Sequence, residues 1–123
     1  MIRGAVNARH EAVIRLRVRG PGGVETDFDA VVDTGFTSSL TLPSTAVMAL
    51  GLVRQSSSVA TLGDGSVRSF DVYAAETEWD GVWRPILVSA VGDEVLVGMR
   101  LLAGHDLLVA VVPGGPIEIS SRP

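Results

Sequence analysis

The carboxylate of Asp33 is the side chain in this sequence whose surroundings best suit acid–base chemistry. It follows the apolar pair Val31 and Val32, and Thr34 and Gly35 come directly after it. A carboxylate at the end of an apolar strand lies at the edge of a core, where it can take or give a proton during a reaction. Asp also begins many ordinary turns between two strands. The tripeptide alone therefore leaves both a catalytic and a structural role open.

The composition gives little support to other kinds of catalytic or binding site. The chain has no cysteine, which excludes thiolate nucleophiles, disulfides and cysteine-bound zinc. His10 and His105 do not form a cluster with metal-ligand spacing, so we predict neither a metal nor another cofactor. The net charge of −4 argues against a nucleic-acid partner, because such a partner requires a basic patch.

Length and hydropathy predict a single globular domain over residues 1–123. Apolar residues make up 46% of the chain, which is enough for a packed core. The longest apolar run, residues 107–112, is too short to span a bilayer. The first residues also lack the apolar stretch of a signal peptide. We therefore expect a soluble cytoplasmic protein without a membrane partner.

Two paired strands are predicted before Asp33. Apolar residues alternate with arginines before the turn at residues 20–23 and with acidic residues after that turn. Pairing Arg17 with Asp27 also places Leu16 opposite Phe28, so charge and hydrophobicity select the same register. The same register pairs Arg19 with Glu25, Arg15 with Asp29 and Ile14 with Ala30.

The rest of the chain has the pattern of a mostly β protein, because turn residues recur about every ten positions. Pro and Gly at its ends predict a short helix over residues 43–51, and a second brief helix is predicted after Gly98. Further strands are predicted over residues 38–42, 59–62, 67–78, 83–91, 95–97, 107–112 and 117–119. The sum is a mostly antiparallel β domain with one or two short helices.

Two motifs and their order resemble the single-domain aspartic proteases of the retropepsin type, above all the small bacterial members. Those members often read apolar-apolar-Asp-Thr-Gly-Phe and then Leu-Thr-Leu-Pro, and residues 31–36 and 40–43 match both stretches. The family also carries a late apolar-apolar-Gly element before a short helix. Leu96, Val97 and Gly98 match that element. The resemblance covers nearly the whole chain in the right order.

The resemblance implies a small closed antiparallel β-barrel and a homodimer, in which Asp33 and its copy from a second chain meet on a two-fold axis. Two carboxyls so close share one proton, and the pair activates a water that attacks a peptide bond of the substrate. Thr34 would hydrogen-bond across the axis. Gly35 would donate its N–H to the carboxylate. No cofactor takes part in this mechanism.

The resemblance also implies residues that bind the substrate and support the active loop. Phe36 would form the floor beside the aspartate pair, where retroviral members usually have Ala or Ser. A Gly-rich hairpin tip would close over the bound peptide and exclude water. The tip consists of Gly63, Asp64, Gly65 and Ser66. Leu96, Val97 and Gly98 would support the active loop from below.

Two other interpretations of the sequence stay open. The same fold can serve as a catalytically inactive module for peptide binding or dimerisation, because a fold does not guarantee an activity. The chain can also be an unrelated small β-barrel in which Asp33 is structural. For the sheet that joins two copies, the last hairpin and the N-terminal segment are the candidates.

Overall fold

The computed structural model describes residues 1–61 and 64–123. Within these residues the chain forms ten strands and two short helices, which confirms the prediction of a mostly β protein. The strands are β1 (Ile2–Val6), β2 (Ala12–Arg19), β3 (Glu25–Val32), β4 (Leu40–Thr41), β5 (Val53–Thr61), β6 (Val67–Trp79), β7 (Val82–Ala90), β8 (Leu96–Val97), β9 (His105–Val109) and β10 (Pro116–Ser121). The helices are α1 (Ser44–Leu50) and α2 (Met99–Leu102).

The described strands form one sheet in the order β5, β6, β7, β4, β8, β3, β2, β1, β10, β9. A further pairing of β6 with β2 closes β2, β6, β7, β4, β8 and β3 into a ring of six strands. Most pairings are antiparallel, as predicted, but β3 with β8 and β4 with β7 are parallel. The two parallel pairings join strands from distant parts of the chain, which hairpins cannot do.

The core is built from the inward-facing residues of the paired strands. Ile14, Leu16 and Val18 alternate with exposed or half-buried arginines along β2 and are at most 2% exposed, as the alternation predicts. Burial of one such side chain stabilises the fold by about 1.5–3 kcal/mol. The strands around the candidate site contribute the fully buried residues Ala30, Leu40, Val88 and Val97.

Strands β2 and β3 pair in the register that the charges predict. Arg17 Nε lies 2.8 Å from Asp27 Oδ1, and this hydrogen bond lowers the pKa of the Asp27 carboxyl. One ion pair differs from the expected set, because Arg19 binds Glu76 at 3.1 Å although Glu25 is opposite it. The reason is the closing pairing of β6 with β2, which brings Glu76 beside Arg19.

Helix α1 lies inside the predicted range and ends at Gly51, whose φ of 64° is left-handed. Strand β5 begins at Val53, well before the predicted start at residue 59. The prediction missed this first part because the serines at residues 56–58 show no apolar alternation. Strand β1 has no predicted counterpart. Among the described residues, neither helix has the length and apolar character needed to cross a membrane.

Candidate active site

Asp33 lies at the end of β3, in the turn that leads toward β4. Its Oδ1 accepts a hydrogen bond from the Gly35 N–H at 2.9 Å, and its carbonyl accepts one from the Phe36 N–H at 3.1 Å. The Asp33 residue is half-buried, whereas Thr34 is exposed. Oδ2 has no hydrogen-bond partner among the described residues. The turn therefore holds one carboxylate oxygen in place and leaves the other available to a water molecule or to a second acid.

The two-residue strand β8 lies between β3 and β4 and so ties both ends of this turn. On the β3 side, the Asp33 N–H donates to the carbonyl of Val97 at 2.9 Å. On the β4 side, Leu40 pairs with Val97, and the Gly98 N–H donates to the carbonyl of Ser39 at 2.9 Å. These contacts restrict the position of the Asp33 backbone from two directions.

Gly98 has no room for a side chain. A Cβ atom at this position would lie 2.1 Å from the carbonyl oxygen of Ser38 and 2.6 Å from Cδ2 of Phe36. The half-buried ring of Phe36 therefore occupies the space that the glycine leaves free. The carbonyl of Phe36 accepts a hydrogen bond from the Met99 N–H at 2.8 Å, which fixes the residue to the start of α2.

A buried hydroxyl without a predicted role connects β4 to the segment before β8. Thr41 is 3% exposed, and its Oγ1 donates to the carbonyl of Glu94 at 2.8 Å. The same oxygen accepts the Leu96 N–H at 2.9 Å. The signal in the sequence is a Thr between two leucines that are buried in the fold, Leu40 and Leu42.

Replacing Thr41 with Val should lower the free energy of unfolding by about 1–2 kcal/mol, because the Glu94 carbonyl and the Leu96 N–H lose their partner. Urea denaturation followed by circular dichroism measures the change. Thr26→Val is the matched control, since Thr26 is an exposed residue of β3. Equal stability of the two variants would show that the Thr41 hydroxyl does not hold β8.

The hairpin of β5 and β6 carries the predicted tip. The carboxylate of Asp64 accepts hydrogen bonds from the hydroxyl of Ser66 at 2.6 Å and from its N–H at 2.9 Å. Both bonds lower the pKa of the Asp64 carboxyl. Asp64, Gly65 and Ser66 are exposed, and Gly63 lies outside the described residues. The Asp64 carboxylate therefore stabilises the turn in which it lies.

The base of this hairpin shares a cavity with the segment after Asp33. The cavity has a volume of about 300 Å³ and is lined by Ser38 and Ser39 from that segment and by Ser58 and Phe70 from the hairpin. Thr61, the last residue of β5, lies about 10 Å beyond Ser58 at the usual rise of a strand. Among the described residues of the hairpin tip, Asp64, Gly65 and Ser66 do not line this cavity.

The structure thus brings the Asp33 turn together with β8 and Gly98, and it places the described tip residues 64–66 further along the hairpin. Among the described residues, no three His, Cys, Asp or Glu side chains form a group that could hold a metal ion. A scan against family models, a search of curated proteins and a search of solved structures found no match to this chain.

Proposed function

We propose that this chain is an aspartic endopeptidase of the retropepsin type that acts as a homodimer without a cofactor. Its ring of six strands would then be the small closed β-barrel of that type. The strongest support is the Asp33 turn, which β8 ties at both ends. A general acid or base needs a carboxylate with a fixed backbone and a free oxygen, and Asp33 has both.

In the proposed mechanism, two Asp33 carboxyls face each other across the two-fold axis and titrate as a pair that shares one proton. The ionised carboxylate takes a proton from a water molecule held between them, and the water oxygen attacks the peptide carbonyl carbon. The protonated carboxyl gives its proton to the carbonyl oxygen. Collapse of this intermediate breaks the C–N bond as one of its hydroxyls returns a proton to the second carboxylate. The leaving nitrogen takes the proton that came from the water, so the pair again holds one proton.

The last hairpin is the better candidate for the contact between two copies. Strand β1 lies between β2 and β10, so both edges of the N-terminal strand are occupied. Strand β9 ends the sheet order and has no second partner strand among the described residues. Leu108, Val111 and Val112 of this hairpin are 55%, 63% and 57% exposed, and adjacent exposed apolar side chains commonly mark a contact surface.

Because two chains build one site, the rate of cleavage per chain is expected to rise with protein concentration until the dimer is fully formed. Mass spectrometry of a mixed peptide library between about pH 3 and pH 7 measures the cleavage. Sedimentation over the same concentrations measures the fraction of dimer. A pepstatin-like inhibitor is expected to stop the reaction.

Two results would contradict this function. A constant rate per chain from a protein that stays monomeric would exclude a site shared between two chains. A stable dimer that cleaves no peptide in this pH range would instead favour an inactive module for peptide binding. The polar cavity beside the Asp33 turn supports that second candidate, because serines such as Ser38 and Ser58 line it and can hydrogen-bond to a peptide without cleaving it.

A further inference from the structure

Four of the ten arginines make no ion pair within the described residues. Two of them, Arg84 and Arg100, line one cavity of about 420 Å³. The other two, Arg9 and Arg68, lie in the turn after β1 and on β6. The remaining six are paired with carboxylates and are Arg3, Arg15, Arg17, Arg19, Arg54 and Arg122. Two of the four arginines without an ion pair therefore line the same cavity.

This cavity adjoins the serine-lined cavity beside the Asp33 turn, and we name the two together the arginine groove. They share Ser39, Leu87 and Arg100 as lining residues. Hydroxyl groups line one end, and apolar side chains such as Ile86 line the other. The groove therefore offers hydrogen bonds, apolar contact and positive charge side by side.

None of the described residues that line the groove is acidic, and the nearby Asp71, which is hydrogen-bonded to the lining residue Ser57, is already paired. Asp71 Oδ1 accepts hydrogen bonds from Arg54 Nε at 3.0 Å and from the hydroxyl of Ser57 at 3.1 Å. Both bonds lower the pKa of the Asp71 carboxyl, so it stays ionised and paired at neutral pH. The charges of Arg84 and Arg100 thus stay uncompensated, although the whole chain carries a net charge of −4.

One wall of the groove is an open strand edge. Strand β7 pairs with β6 over its whole length, but on its other side it pairs with β4 only at Val88 and Ser89. Residues 82–87 have no second partner strand in the part of the chain that the structure describes. An extended peptide can add to such an edge through its backbone, with alternate side chains in the pockets beside it. Arg84 and Leu87 of this segment both line the groove.

We propose that the arginine groove binds an extended peptide segment whose acidic side chains pair with Arg84 and Arg100. Guanidinium groups bind carboxylates and phosphate esters through short charge-assisted hydrogen bonds. The Arg100 N–H donates to the carbonyl of Ser38 at 3.3 Å, so the groove begins in the segment that follows Asp33. The groove would therefore favour substrates that carry an acidic stretch beside the scissile bond. This preference rests on the proposed function, whereas the binding of an acidic peptide does not.

Fluorescence anisotropy with labelled synthetic peptides tests the binding in the full chain. The probes alternate Val with Glu, with phosphoserine, or with Gln as the neutral reference. The parent chain should bind at least one anionic peptide more tightly than the Gln peptide. Arg84→Gln and Arg100→Gln should each weaken that binding by about tenfold, as expected for one charge-assisted contact. Whichever anionic peptide binds more tightly identifies the anion as carboxylate or phosphate.

Arg9→Gln is the matched control, because it removes the same charge from an exposed arginine that also makes no ion pair with the described residues. Its affinity should equal that of the parent. A double variant, Arg84→Glu with Arg100→Glu, should instead bind a peptide that alternates Val with Lys. Equal binding of the Glu, phosphoserine and Gln peptides, or an equal loss in Arg9→Gln, would overturn the proposal.

The same experiment separates the groove from the proposed enzyme. Asp33→Asn should bind the anionic peptides as tightly as the parent does, because Asp33 is not among the residues that line the groove. If the anionic peptides bind as expected but neither the parent nor any variant cleaves a peptide, the enzyme proposal fails and the groove proposal stands. If cleavage holds without any preference for acidic segments and the anionic peptides do not bind, the groove proposal fails alone.

Discussion

Replacing Asp33 with Asn is expected to lower kcat/KM for peptide cleavage by at least about a thousandfold. The amide cannot take a proton from water, and two amides cannot share a proton across the axis. The Asn carbonyl oxygen can still accept the Gly35 N–H, so the turn should keep its shape. Cleavage of the best library peptide, followed by chromatography, measures the loss. The unfolding midpoint should stay close to that of the parent.

Asp29→Asn is the matched control, because it makes the same chemical change at an exposed carboxylate of β3 that pairs with Arg15 and has no role in the proposed site. This variant should keep most of the parent activity. A mixture of equal amounts of parent and Asp33→Asn chains adds a sharper test. If each site needs two aspartates, random pairing should reduce the activity per parent chain to about one half. Unchanged or higher activity per parent chain would show that one Asp33 is sufficient.

Replacing Gly98 with Ala is expected to destabilise the fold by about 3 kcal/mol or more, at the upper end of the cost of overpacking. The new methyl group would lie 2.1 Å from the Ser38 carbonyl oxygen, which belongs to the backbone and cannot rotate away. It would also lie 2.6 Å from the ring of Phe36. Relief requires the segment after Asp33 to move, so activity should fall together with stability.

Urea denaturation measures the effect, and Gly22→Ala is the control. A Cβ atom at Gly22 meets nothing within 4 Å, so that variant should change the free energy of unfolding by less than about 1 kcal/mol. If Gly98→Ala proves as stable as Gly22→Ala, the contact between Gly98 and the Asp33 turn is loose, and β8 does not fix the site.

Local pattern was sufficient to predict the elements whose partners are close in sequence. Arg17 and Asp27 flank a short turn, so one register satisfies both their charges and the apolar residues between them. Helix α1 was predictable from Pro43 and Gly51, because these residues act within a single helix. The early part of β5 was not predictable, since serines carry no preference for one face of a strand.

In the candidate site, the Asp33 turn and the small residue at Gly98 were expected from motifs and their order. The role of Thr41 could not be predicted, because its hydroxyl binds Glu94 and Leu96, which lie on a distant part of the chain. The arginine groove also depends on tertiary structure, since Arg84 and Arg100 become neighbours only when β7 and α2 are both in place. The pairing of Arg19 with Glu76 was missed for the same reason.

The insertion of β8 between β3 and β4 also determines when the Asp33 turn can form during folding. The carbonyl that holds the Asp33 N–H belongs to Val97, so a large loop must close before the turn is complete. Such long-range contacts form late in folding. A nascent chain that has not yet emerged to Val97 lacks this support, and it cannot carry an assembled site. If Asp33 is the catalytic residue that we propose, the site therefore stays inactive until the chain has been synthesised as far as Val97.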